Sequence, residues 1–430
     1  MLRDKKFHTV VIGGGCLGVS SAISVAKHLK KMGGNPESVC LIEKNVLASA
    51  LSIRHSGIVR SANADNIAAK LGQISTNMWL NTKDVWGVEI EVERFGALWI
   101  AKADINSTNQ KWDQLAQDLK STSIRFKKIT RKAAIKICPD YVNLHHDEVF
   151  YHEPDAIQVD PASVRNAFYE GIIKSNVTLF EKEEVVSFKK NSNEEIKEII
   201  TTNGVIKADH IINAAGPWSP NLFSKIGIAV PVGIEPVYVV NWLNSLLSKK
   251  TSMPIIADYV NRAYFRSWRD GEIHMHQPRK RGIHETRTAF TENPISVVGA
   301  DFINDPMNQT QNYAQIKLYE DIAHNRFKNL EKTIFSSGYR SYFDITPDLK
   351  FILGPDNKIK NLIHCLGSGQ AFKYSPVFGE MMAEYILKPG LLSQYGDAFS
   401  IKRFDRNYMK NFWSTVHGKE YSLYQENNAL

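Results

Sequence analysis

Three glycines, Gly13-x-Gly15-x-x-Gly18, stand directly behind the apolar run Thr9-Val10-Val11-Ile12, and a helical pattern starts at once after them. That spacing suits a dinucleotide pyrophosphate. The first glycine permits a tight turn, the second lets the phosphates approach the backbone, and the third lets the helix pack on the strand. The helix N-terminus then offers free N–H groups and a partial positive charge. A second apolar run, Val39-Cys40-Leu41-Ile42, ends in Glu43, 25 residues beyond Gly18. A carboxylate there accepts hydrogen bonds from a ribose 2′-hydroxyl and repels a 2′-phosphate. The residues therefore point to FAD or NAD and away from NADP.

The elements that must hold these residues are legible around them. Val19, Ala22, Ile23, Ala26 and Leu29 follow helical spacing, and Gly33-Gly34 ends the run. Residues 66–86 read as helix, Phe95–Ile100 as strand and residues 107–140 as helical segments. Asp160-Pro161 reads as an N-cap followed by proline at the first helical position. Strands are expected from Val177 to Ile206, and the apolar strand through Ile211-Ile212 ends in Ala214-Ala215-Gly216, another close approach to a nucleotide. Residues 228–335 alternate strands and loops, with a helix at 311–330. A glycine-rich turn returns at Gly367-Ser368-Gly369-Gln370, and a helix is expected from Pro376 to Lys388. Nucleotide-facing features thus occur at both ends and in the middle. They predict one discontinuous nucleotide domain (1–85, 150–225 and 336–430) with a second domain inserted in two pieces (86–149 and 226–335).

The 430 residues exceed one simple core, and 43% hydrophobic with 23% charged residues is a globular composition. No apolar run is long enough to span a bilayer. Met1–His8 leaves no room for a leader before the first strand, and the four cysteines show no paired spacing, so a cytoplasmic protein with reduced thiols is expected. The net charge of +8 comes from scattered clusters such as Arg279-Lys280-Arg281, with no nucleic-acid module around them. No Gly-x-Ser-x-Gly elbow supports a hydrolase, and no second glycine fingerprint supports an NAD-linked reductase. His274-x-His276 has no third ligand in view, so no metal site is assigned. His145-His146 and His152-Glu153 read as ordinary solvated residues.

Four stretches in this order resemble the FAD-dependent amine and amino-acid oxidoreductases that include D-amino-acid oxidase, glycine oxidase and sarcosine oxidase. They are Val10–Gly18 with Glu43, Asn213–Ser219, Thr346-Pro347-Asp348, and Gly367–Pro376. The loop Ser52–Asn63 is most similar to the sarcosine oxidase beta subunit and dimethylglycine branch. The resemblance implies an α/β fold: a Rossmann-type FAD domain joined to an antiparallel-sheet substrate domain, with non-covalent FAD. It implies cofactor contacts from Gly13, Gly15, Gly18, Glu43, Lys44, Ser52, Arg54, His55, Ser56, Val185, Ala215, Gly216, Trp218, Gly338, Gly367, Ser368, Gly369, Gln370, Ala371 and Lys373. Arg60 and Lys373 match the two cations that hold a substrate carboxylate in monomeric sarcosine oxidase. A fork-shaped guanidinium and a point charge together offset the desolvation of such a carboxylate. Tyr264 and Arg266 are further candidates over the substrate, with sheet packing as the alternative for both.

The chain also departs from that family. Ser341 stands where monomeric sarcosine oxidase carries the cysteine that binds FAD covalently, and Pro154 where heterotetrameric relatives carry the histidine that links a second flavin. The lysine that promotes reaction with oxygen falls near His274, which leaves O2 or an electron-transfer protein open as acceptor. The expected reaction is oxidation of the C–N bond of a small, N-methylated amino acid such as sarcosine or dimethylglycine. Two alternatives stand beside it: another amino acid or a 2-hydroxy acid as substrate, and a flavin-binding subunit that works with a partner. A homo-oligomer is left open.

Overall fold

The computed structural model describes residues 5–103, 106–244, 253–261, 263–268, 272–276, 313–328 and 333–404. Its first sheet is built on β1 (Lys5–Ile12) and β2 (Val39–Glu43). The parallel order runs Thr178–Glu181, β2, β1, Gly204–Asn213, Leu362–Leu366, with Ile352–Pro355 antiparallel at the edge. Val10, Val11 and Val39 to Leu41 have no exposed surface. Such unbroken apolar runs suit strands covered on both faces. Val11 and Leu41 pack with α1 (Cys16–Lys31) and the Ala371–Leu387 helix, while Val10 and Ile42 pack on the opposite side with Ile199 and Phe223. The start of the Gly204–Asn213 strand carries an antiparallel extension, Ile196–Thr201 and Val185–Lys190.

The second sheet has the order Thr333–Ile345, Gly233–Asn244, Glu272–His276, Ala263–Trp268, Ile255–Asp258, Ala97–Lys102, Glu148–Glu153, Lys127–Ile129. Its pairs are antiparallel except Ile255–Asp258 with Ala97–Lys102, which run parallel from the pair Ile255↔Ala97. A small third sheet joins β3 (Ile58–Val59), Ile157–Val159 and Val92–Glu93. Because Glu148–Glu153 and Thr333–Ile345 belong to the second sheet, the domain edges expected at residues 150 and 336 fall inside strands.

Most local expectations meet a physical counterpart. Gly33 takes φ +81° and the Gly34 N–H donates to the Leu29 carbonyl, closing α1. Asp160 accepts from the Ala162 and Ser163 N–H groups at the start of Pro161–Lys174. Two readings change. The helix expected over 66–86 is two, α2 (Asn66–Trp79) and Thr82–Trp86, and the one expected from Pro376 begins at Ala371. Pro376 lies inside that helix, where it removes the N–H owed to the Phe372 carbonyl. The neighbouring Lys373 carbonyl accepts from Ser75 Oγ (2.6 Å) and Trp79 Nε1 (3.1 Å), so α2 holds the proline-containing turn.

Candidate active site

At the C-terminal ends of β1, β2 and Gly204–Asn213 lies a cavity of about 550 Å³. Its wall includes Gly13, Gly15, Glu43, Lys44, Ser52, Val185, Ala215, Gly216, Trp218 and Ala371, all expected from the sequence. The three glycines do different things. Gly13 takes φ +105°, and a Cβ there would lie 2.5 Å from the Ala214 carbonyl oxygen. A Cβ on Gly18 would meet the Gly13 oxygen at 1.8 Å, so the third glycine lets α1 close against the loop. A Cβ on Gly15 would meet only Ser52 Oγ, at 3.1 Å. That position faces the cavity rather than the protein.

Glu43 accepts from the Gly14 N–H (2.7 Å) and the Asn45 N–H (2.8 Å). Burial raises its pKa, against the pull of those two N–H groups and Lys44. Ser52 Oγ accepts from the Cys16 N–H at 2.8 Å, tying the 52–57 loop to the first turn of α1. Lys44 lies 4.4 Å over the Trp218 ring. Trp218 Nε1 is buried in this wall with no hydrogen-bond partner among the described residues. An orphaned donor, a glycine-lined helix N-terminus and a carboxylate at the end of β2 together fit the phosphate-ribose half of a dinucleotide.

The other expected cofactor contacts lie outside that wall. The His55 ring packs 3.7 Å from that of Phe372; its Nδ1 accepts from the Gly57 N–H and its Nε2 donates to the Ser52 carbonyl. Arg54 ends the Leu51–Ile53 turn, and Ser56 is buried beside it. Gly367, Ser368, Gly369 and Gln370 form the turn that leads into Ala371–Leu387, with Ser368 Oγ accepting from the Thr346 N–H. Gly338 lies in Thr333–Ile345, opposite Val240.

The Ala371–Leu387 helix carries Lys373 toward a second group of side chains. Lys373 is buried, and burial first, then the nearby Arg60 charge, push its pKa well below 10.5. Arg60 follows β3, lies 4.5 Å over the Trp99 ring and donates to the Ala62 carbonyl at 2.6 Å. Burial works against its charge, but Tyr264, Tyr259 and Glu153 outweigh that and raise its pKa. Tyr264 OH is 3.0 Å from Tyr259 OH. Arg266, on the same strand as Tyr264, is buried and donates to the Val159 carbonyl. The backbone of His274 pairs with Asn241 and Arg266; its side chain lies outside the described residues. The fold thus brings Arg60, Lys373 and Tyr264 to one region from three separate elements, with Arg266 two residues on from Tyr264 on the same strand.

Two acidic residues escaped the sequence reading. Glu153 is only 1% exposed, so its assignment as a solvated residue is corrected. Strand alternation carried the signal: Glu153 shares a face with Val149 and Tyr151, which pack with Trp99 and Trp112. Asp344 lines the cavity and accepts from the Gly369 N–H, and burial raises its pKa.

A cavity over the carboxyl ends of a parallel sheet, with a glycine loop at a helix N-terminus, defines a dinucleotide-dependent protein. The family model "FAD dependent oxidoreductase" matches residues 8–385, and the chain belongs to that family. FAD is therefore its cofactor and oxidation–reduction its class of chemistry. The chain is 22% identical over 434 residues to 4-methylaminobutanoate oxidase (formaldehyde-forming) of Paenarthrobacter nicotinovorans, covering 97% of this chain and 49% of that protein. It is 21% identical to the mitochondrial dimethylglycine dehydrogenase of Homo sapiens, covering 88% of this chain and 42% of the relative. The chain thus spans about half the length of these two relatives. Among solved structures, L-proline dehydrogenase from P. horikoshii shares the fold with a TM-score of 0.78 at 22% identity, covering 94% of this chain and 99% of that one.

Proposed function

We propose that this chain oxidises the C–N bond of a small, N-methylated amino acid, with Arg60 and Lys373 holding the substrate carboxylate. The observation that carries this reading is the pairing of those two cations. They lie 313 residues apart in sequence, act on one another in a buried region, and have Glu153 as a shared acidic neighbour. Two positive charges against one negative leave a net positive site, and an incoming carboxylate offsets it. Trp99 holds the Arg60 guanidinium from one face, so its fork presents a set orientation to the ligand.

When bound, FAD supplies a hydride acceptor for a substrate C–H bond, and two electrons leave with that hydride. The chain's residues orient the substrate: the cations fix its carboxylate, and Tyr259, Tyr264 and Arg266 border the same region. The amine loses its proton before oxidation, and water hydrolyses the resulting imine. O2 or an electron-transfer protein would be the final electron acceptor. Serine rather than a family-type cysteine at position 341 supports non-covalent FAD, and Pro154 in place of a histidine argues against a second, covalent flavin. The cofactor domain is built around the first sheet and the substrate domain around the second.

The half-length coverage of the relatives supports a second reading, in which this chain is the flavin-binding part of a larger assembly. Anaerobic mixing of the FAD-loaded protein with sarcosine, dimethylglycine, other N-methyl and D-amino acids, proline and 2-hydroxy acids separates the readings. Rapid bleaching by an N-methylated amino acid supports the first, and admission of air then distinguishes oxidase from dehydrogenase. Bleaching only by a 2-hydroxy acid, or by none of these compounds, overturns it.

A further inference from the structure

The carboxylate of Glu153 sits at the end of the Glu148–Glu153 strand with almost no exposed surface. Its Oε1 accepts from two successive N–H groups, Ser61 at 2.7 Å and Ala62 at 2.8 Å. The Ala62 carbonyl, on the far side of the same turn, accepts from Arg60 Nη1. Glu153 Oε2 is buried without a hydrogen-bond partner among the described residues. A buried carboxylate bonded through one oxygen alone is costly unless cations offset it. The charged and titratable groups that face this region are Arg60 from the loop after β3, Lys373 and Tyr374 from the Ala371–Leu387 helix, Tyr259, and Tyr264 from the Ala263–Trp268 strand. Lys373 has no hydrogen bond to its Nζ among the described residues, and Glu153 is the acidic group that acts on it.

We propose that Glu153 is a positioning residue for the carboxylate-binding cations: it braces the Arg60 turn through the Ser61 and Ala62 N–H groups and supplies the buried counter-charge for Arg60 and Lys373. This rests on the reading of those cations as the substrate anchor. Glu153 acts in two separable ways. One is geometric, through Oε1 and the turn. The other is electrostatic: its charge favours the protonated ammonium of Lys373, which burial and Arg60 both oppose.

The substitution Glu153→Gln separates them, because an amide oxygen still accepts from both N–H groups while the charge is gone. Acetate serves as the probe, titrated calorimetrically into the FAD-loaded protein from about pH 6 to about pH 10, a range that lies below the ordinary lysine value. Wild-type protein is expected to bind acetate and to lose it along an alkaline limb as Lys373 deprotonates. In Glu153→Gln that limb moves to lower pH by about one unit, and affinity on the alkaline side falls about tenfold. Glu153→Asp keeps the charge on a shorter arm, so binding weakens at every pH while the limb stays near its wild-type position. Lys373→Met abolishes the limb, and adding Glu153→Gln to it produces no further pH shift. A Glu153→Gln limb that coincides with wild type overturns the proposal. Should that variant fail to retain FAD, Glu153→Asp decides: acetate binding as tight as wild type overturns the bracing role. Wild-type protein that does not bind acetate at any pH overturns the anchor reading together with this inference.

Discussion

Lys373 is a charge placed where folding works against it, and that has a measurable consequence. A base whose folded pKa lies below 10.5 binds its proton less tightly in the folded state than in the unfolded one. The unfolded state then carries more protons between the lowered pKa and 10.5, so stability contributed by this group rises with pH through that window. Lys373→Met is expected to flatten that rise and, because Arg60 remains as the counter-charge of Glu153, to make the protein about 1 kcal/mol more stable at neutral pH. The same variant is expected to bind acetate at least about tenfold more weakly, because a carboxylate near Arg60 loses its second cation. Urea titrations across pH and acetate calorimetry read the two effects separately. A Lys373→Met variant less stable than wild type at neutral pH contradicts this account of its burial.

At the scale of elements, the glycine loop predicts two opposite phenotypes within one motif. Gly18→Ala drives a methyl group into the Gly13 carbonyl oxygen, where the backbone of both α1 and the loop must move. A loss of about 2 kcal/mol or more is expected, with FAD binding weakened as a secondary effect. Gly15→Ala meets only the movable Ser52 hydroxyl, so its unfolding midpoint without FAD stays near wild type. Its methyl group instead intrudes on the approach of the phosphates, and FAD affinity drops about tenfold or more. Thermal unfolding of both apoproteins, followed by FAD titration, distinguishes packing from ligand approach. The supporting helix also shows why sequence periodicity misplaced its start. Pro376 reads as an N-terminal signal, yet the side chains of Ser75 and Trp79 bond the Lys373 carbonyl and hold the turn before it. Those donors come from α2, roughly 300 residues away, and no local pattern announces them.

For the whole molecule, a fully buried ion cluster joins the parts of the second sheet. Arg326 Nε donates to Asp258 at 2.7 Å and Nη2 to Glu148 at 2.8 Å, while Nη1 bonds the Asn143 carbonyl. All three charged side chains lack exposed surface, so removal of the cation strands two carboxylates. Arg326→Met is expected to cost about 3–5 kcal/mol, visible as a large fall in the unfolding midpoint with or without FAD. A change within the range of an ordinary surface substitution contradicts that role. None of the described helices is long and apolar enough to cross a membrane.

The nucleotide half was legible in sequence because local rules govern it: a parallel buried strand, a turn only glycine permits, and an acid at the end of the next strand all lie within residues 9–43. The resemblance of Arg60 and Lys373 to a carboxylate anchor also came from local motifs. What tertiary structure decided was which charges share a site. Glu153 looked solvated beside His152 and Pro154, yet alternation along its strand and the packing of Val149 and Tyr151 turn it inward. Its partners, Ser61 and Ala62, come from a turn 91–92 residues earlier. Burial and long-range charge pairing depend on the approach of distant segments, and a residue's type and immediate neighbours do not specify that approach.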